Sequence, residues 1–199
     1  MRAVSALVVL ALGAGPALAQ RTERPEVHAG DRWEFVVYLT DPSTTSRRAW
    51  VVESVTPARI VATDNGEPLV LTADLNVVDS PRERSSNPTL LRFPLGVGDH
   101  WTFANDYLYK PTGSTGRAVA DVIVVAYERV AVPAGEFEAF KLEAKFHLEG
   151  KSPKGSRVDA ESFTTYWYAP SARAVVKWVQ RHPYLGPSTV ELSSYALRP

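Results

Sequence analysis

Phe140-Lys141-Leu142-Glu143-Ala144-Lys145-Phe146-His147-Leu148-Glu149 decides the fold. Apolar side chains occupy every even position and charged or polar ones every odd position. A period of two is the signature of a strand with one buried and one wet face. The same alternation, in stretches rich in β-branched and aromatic residues, predicts strands over 32–40, 48–55, 59–63, 69–76, 100–110, 117–132, 161–168, 173–181 and 189–197. No window of helical period competes with it. Turn residues fill the gaps: Asp41-Pro42-Ser43, Asp64-Asn65-Gly66, Pro111-Thr112-Gly113, Pro133-Ala134-Gly135, Ser152-Pro153-Lys154-Gly155 and Gly186-Pro187. Asn65-Gly66 accepts the positive φ of a tight hairpin. Residues 80–94, with three prolines and two consecutive serines, read as a long irregular excursion.

About ten strands joined by short turns imply an all-β fold with little helix: a curved antiparallel sheet, a half-open barrel or a sandwich. Gly30-Asp31-Arg32-Trp33-Glu34-Phe35 recurs as Gly98-Asp99-His100-Trp101-Thr102-Phe103. The recurrence suggests two halves, 28–80 and 95–199, within a single β domain spanning 20–199.

Residues 1–19 stand apart. Arg2 precedes an apolar core from Ala6 to Ala14, Gly15-Pro16 breaks it, and Ala17-Leu18-Ala19 is a small-x-small cleavage site. This order is that of a secretory signal peptide, so the mature chain is expected outside the cytoplasm, periplasmic or extracellular. The 199 residues carry 22 basic and 22 acidic side chains and no Cys. Balanced charge argues against a nucleic-acid surface, and the Arg47-Arg48 and Arg82/Arg84 clusters read as solvated. Without Cys, neither disulfides nor a thioether lipid anchor is expected, and no apolar run reaches membrane-spanning length.

Three motifs in order carry a resemblance. Phe93-Pro94-Leu95-Gly96-Val97-Gly98-Asp99-His100-Trp101, Val132-Pro133-Ala134-Gly135 running to Leu142, and Tyr166-Trp167-Tyr168-Ala169-Pro170 running to Lys177 resemble the TapB-like group of exported bacterial β domains of unassigned function. The layout is similar, more distantly, to the LolA/LolB lipoprotein carriers. The resemblance implies a curved sheet and an exported compartment but brings no catalytic residues. Ser171-Ala172-Arg173 departs from the pattern, where a glycine usually opens the turn.

The chemistry-bearing residues form no known catalytic constellation. The four histidines (His28, His100, His147, His182) lack metal-ligand spacing. Asp99 and His100, adjacent on a strand, point to opposite faces, and Asp99 reads as a turn residue. Glu136/Glu138 and Glu143/Glu149 are glycosidase-like carboxylates only if they straddle a cleft. No cofactor, metal or catalytic residue is therefore assigned.

The aromatics carry more. Trp33, Trp101 and Trp167 read first as core anchors, and Tyr166 and Tyr168 as a pair on the face opposite Trp167. Together with Trp178 these six are the candidates to line a ligand site. The expectation is a non-enzymatic exported domain that binds a lipid or apolar small molecule on a concave apolar face. Two rivals are an envelope-protein interaction module with a filled core, and a hydrolase using carboxylates or His100.

Overall fold

The computed structural model describes residues 20–39, 45–183 and 186–199. The signal-peptide reading and the Asp41-Pro42-Ser43 turn lie outside them. Fourteen strands follow in chain order: β1 (Arg21–Thr22), β2 (Arg32–Tyr38), β3 (Thr45–Val55), β4 (Arg59–Asp64), β5 (Glu67–Thr72), β6 (Val77–Asp79), β7 (Glu83–Ser85), β8 (Leu95–Gly96), β9 (His100–Tyr109), β10 (Ser114–Val132), β11 (Gly135–Lys151), β12 (Arg157–Ala169), β13 (Ala174–His182) and β14 (Gly186–Ala196). Twelve of them close into an antiparallel barrel, β10-β11-β12-β13-β14-β2-β3-β4-β5-β6-β7-β9, while β1 and β8 form a separate two-stranded ribbon. The all-β antiparallel architecture expected from the alternation is present; of the curved sheet, half-open barrel and sandwich it takes the barrel form, with the ring closed.

The alternation of β11 is realised as read: Leu142 and Ala144 are buried, while Glu143, Lys145, His147 and Glu149 are exposed. Asn65 (φ 55°) and Gly66 (φ 86°) both take positive φ, as a primed hairpin turn requires. Two expectations need correction. The strand expected over 69–76 ends at Thr72, because Leu75 takes φ 64° and turns Asn76 inward. The Asn76 side chain then pairs with the Leu91 backbone, accepting from its N–H at 2.7 Å and donating to its carbonyl at 2.8 Å. The excursion at 80–94 is not outside the sheet. Its Glu83–Ser85 segment is β7, which pairs with β9 and closes the ring.

The remainder of that excursion plugs one end of the barrel. Leu91 and Leu95 are buried with Trp101, Val122, Val124, Phe140, Leu142 and Tyr168 in one apolar cluster. Burial of these side chains is the main stabilising term, at roughly 1.5–3 kcal/mol each. A second cluster gathers Trp33, Phe35, Val52, Ile60, Leu69 and Leu192 from β2–β5 and β14. The hairpin β10–β11 serves both. A bulge between Val124 and Ala126 reverses the phase of β10, so Val130, Phe137 and Ala139 face the second cluster while Phe140 and Leu142 face the first.

The barrel thus has unlike ends. The end holding the plug also holds the β12–β13 connection, where Arg173 occupies the turn position expected of glycine. It takes φ 51° there, and its guanidinium donates to the Arg198 carbonyl at 3.1 Å and lies 3.4 Å from Asp31. At the other end the described connections are short turns after Asp64, Asp79, Tyr109 and Lys151.

Candidate functional site

The unplugged end is where inward-facing side chains remain half-exposed. Register places them in rows across the sheet. Phe103 sits opposite Ala120, which sits opposite Phe146; Tyr107 lies opposite Gly116, and Gly116 opposite Gly150; Tyr166 bridges Leu142 and Trp178. Phe103, Phe146 and Tyr166 pack on top of the plugged cluster, with the two phenyl rings edge to face at 6.4 Å. They form an aromatic shelf across the barrel interior, with the small Ala120 between the two phenylalanines.

Polar groups ring this shelf. Glu83 and Ser85 share the inner face of β7, opposite Tyr109 and Tyr107, and the Ser85 hydroxyl donates to Glu83 at 2.8 Å. Burial pushes the Glu83 carboxyl up, yet Glu83 remains exposed to solvent. Its place as the first residue of β7, opposite Tyr109, puts it at the rim of the unplugged end. Burial pushes the Tyr166 hydroxyl up to about 12, and the Glu83 charge adds to that shift; the same two causes raise Tyr107. Elsewhere on the inner wall Arg48 is half-buried over Trp50 and ion-paired to the buried Asp64. Arg48 is therefore not the solvated residue its cluster suggested. Two buried hydroxyls, Thr164 Oγ1 and Tyr168 Oη, have no hydrogen-bond partner among the described residues.

The six residues expected to line a site are dispersed. Trp33 and Trp101 are 3% and 7% exposed, and each indole N–H donates to a carbonyl, of Ala172 at 2.8 Å and of Thr89 at 2.7 Å. Both are core anchors. Tyr168 is fully buried against Phe93, so the expected exposed tyrosine pair does not exist. Trp167 is the half-exposed member. It faces away from Tyr168 and donates to Glu128 at 2.9 Å between the ammonium groups of Lys141 and Lys177. Tyr166 and Trp178 alone reach the lumen. Phe146 was legible from the β11 alternation; Glu83 and Tyr107 were missed.

The residues named for the catalytic alternatives lie on the outer wall. His100 Nε2 lies 2.6 Å from Asp121 Oδ1, but both are more than half exposed on the outer face of β9 and β10. Asp99 is a turn residue, accepting from the Gly96 N–H at 2.8 Å. Glu136 and Glu138 flank Arg129 on the outside of the hairpin. No group of three or more His, Asp or Glu among the described residues is placed to hold a metal. A hollow of about 730 Å³ does exist on the outer face, with Val70, Val78 and Leu108 between Arg59 and Arg84. Among the described residues no helix is long and apolar enough to cross a membrane.

No family model matches the chain, and no curated protein matches it significantly. Solved structures share its fold. A protein of Bacteroides fragilis described as exported, with a YmcC-like fold, is 18% identical with a TM-score of 0.53, over 87% of this chain and 99% of its own. A protein of Parabacteroides distasonis described as a lipoprotein is 14% identical with a TM-score of 0.56, over 89% and 100%. The lipoprotein YmcC of Escherichia coli is 11% identical with a TM-score of 0.50, over 85% and 84%. These neighbours agree with an exported β-domain group at the level of fold, under the name YmcC and not TapB or LolA/LolB. The chain has the YmcC-like fold.

Proposed function

We propose that this protein is an exported, non-enzymatic binder of an amphipathic small molecule, held in the unplugged end of the barrel. The observation that carries the reading is the shelf of Phe103, Phe146 and Tyr166, facing inward and only partly buried, on the side of the core away from Leu91 and Leu95. Apolar surface turned inward but not covered by the protein's own side chains is surface kept for something else. The leader-like residues 1–19 and the description of the neighbours as exported proteins or lipoproteins support export. The barrel layout is a fold-level analogy and assigns no ligand by itself.

Native mass spectrometry of protein purified from its own compartment tests this. A discrete small-molecule adduct is expected, and it should be lost in Phe146→Ser, whose circular dichroism stays β. An adduct-free spectrum, together with failure of the wild type to take up an apolar fluorescent probe, would remove the reading. The outer hollow beside Val70 and Leu108 would then favour the second one, an interaction module for an envelope partner.

A further inference from the structure

We propose that the unplugged end of the barrel selects a cationic headgroup, with Glu83 as its anionic contact and Tyr107 beside it. The inference rests on the lumen reading above and deepens it by naming the ligand class: an ammonium carried on an apolar tail.

Glu83 differs from the two carboxylates Asp79 and Asp64 at this end of the barrel. Asp79 is paired with Arg84 at 2.9 Å and Lys110 at 2.5 Å, and Asp64 is paired with Arg48. Glu83 accepts only the neutral Ser85 hydroxyl, and no basic side chain among the described residues pairs with it. Arg82, its neighbour in sequence, donates to the Tyr109 hydroxyl at 3.1 Å instead. An inward-facing carboxylate without a counter-charge costs free energy that a bound cation returns.

The tyrosine next to it has a prepared seat. Tyr107 Oη lies over the cross-strand pair Gly116 and Gly150. A Cβ at either position would come within 2.7 or 2.8 Å of that oxygen and would collide with a backbone carbonyl of the opposing strand, of Glu149 or of Thr115. Two glycines face to face in a strand pair make room for one ring. Ser85, whose hydroxyl donates to Glu83, lies directly opposite Tyr107 across β7 and β9, so the carboxylate and that tyrosine share one rim of the barrel. A carboxylate beside an aromatic side chain is a surrounding an ammonium prefers, and the Phe103–Phe146 shelf offers apolar contact for a tail. The same carboxylate repels an anionic headgroup.

Dodecyltrimethylammonium and dodecanoate share a tail and differ in headgroup charge. Each is titrated below its critical micelle concentration into the protein and followed by tryptophan fluorescence. The ammonium should bind at least about tenfold tighter. Glu83→Gln should bring the two affinities to within about threefold, and Glu83→Asp, which keeps the charge, should restore the preference. Equal affinities in the wild type, or a preference intact in Glu83→Gln, would overturn the headgroup assignment and leave the lumen reading standing. Binding of neither amphiphile would overturn both.

Discussion

Gly30-Asp31-Arg32-Trp33 and Gly98-Asp99-His100-Trp101 build the same turn twice. Gly30 and Gly98 take φ 91° and 90°. Their N–H groups donate to Val52 at 2.8 Å and Val124 at 2.9 Å, and each of those residues donates back to the aspartate carbonyl at 2.9 Å. Each aspartate side chain caps an N–H three residues earlier, of His28 at 3.0 Å and Gly96 at 2.8 Å. What differs is the surroundings. The Asp31 side chain is fully buried and also meets Arg173 and the Arg198 N–H at 2.6 Å, whereas Asp99, 31% exposed, meets Arg21 through both oxygens at 2.9 Å. One local geometry serves as a buried node tying three distant segments and as a surface clasp. Burial, not the motif, sets the energetic weight.

The largest expected effect is Asp31→Ala. It leaves Arg173 without its carboxylate and the His28 and Arg198 N–H groups without their acceptor, and should cost about 3 kcal/mol in urea unfolding. Asp99→Ala should cost about 1 kcal/mol, because its arginine stays solvated. Equal losses would break the comparison. Trp33→Phe and Trp101→Phe sharpen it from the other side: each removes one indole donor to a carbonyl, so the two should match at about 1–2 kcal/mol.

Glu83 is the third case, a carboxylate with neither aspartate's partners. Burial raises it above the ordinary 4.5, so the folded chain holds that proton more tightly than the unfolded one. Its contribution is fully present below the ordinary value and is lost as pH rises through the raised one. Ser85 donates to it and Tyr107 lies opposite Ser85, and neither supplies positive charge. Glu83→Gln should therefore flatten the fall in stability as pH rises above the ordinary carboxylate range, measured by thermal unfolding. The smallest effect is salt: raising ionic strength should erode the Arg21–Asp99 contribution and spare Arg173–Asp31.

How far the sequence could be read follows from which residues alternate. β11 was legible because every second side chain is charged. β12 was not: Thr164-Thr165-Tyr166-Trp167-Tyr168 is amphipathic at each position, so its phase is settled only by pairing Tyr168 with Phe140 and Tyr166 with Leu142. Both copies of the Gly-Asp turn were visible as strings, but nothing local tells that one would be buried by Arg173, 142 residues away. Arg48 read as solvated and Glu83 lay unremarked in the irregular 80–94 stretch; each sits among polar residues and turns inward only through its partners in the ring. The site was hidden for that reason.

The pairing of β2 with β14 has a kinetic consequence. Tyr38 meets Thr189 and Arg32 meets Ala196, so the ring's earliest strand takes one of its two neighbours from the end of the chain. Contacts of such high sequence separation form late and make folding slow. A chain threaded outward from its N-terminus would emerge with that seam unmade, and the barrel would complete itself only after synthesis and passage had finished.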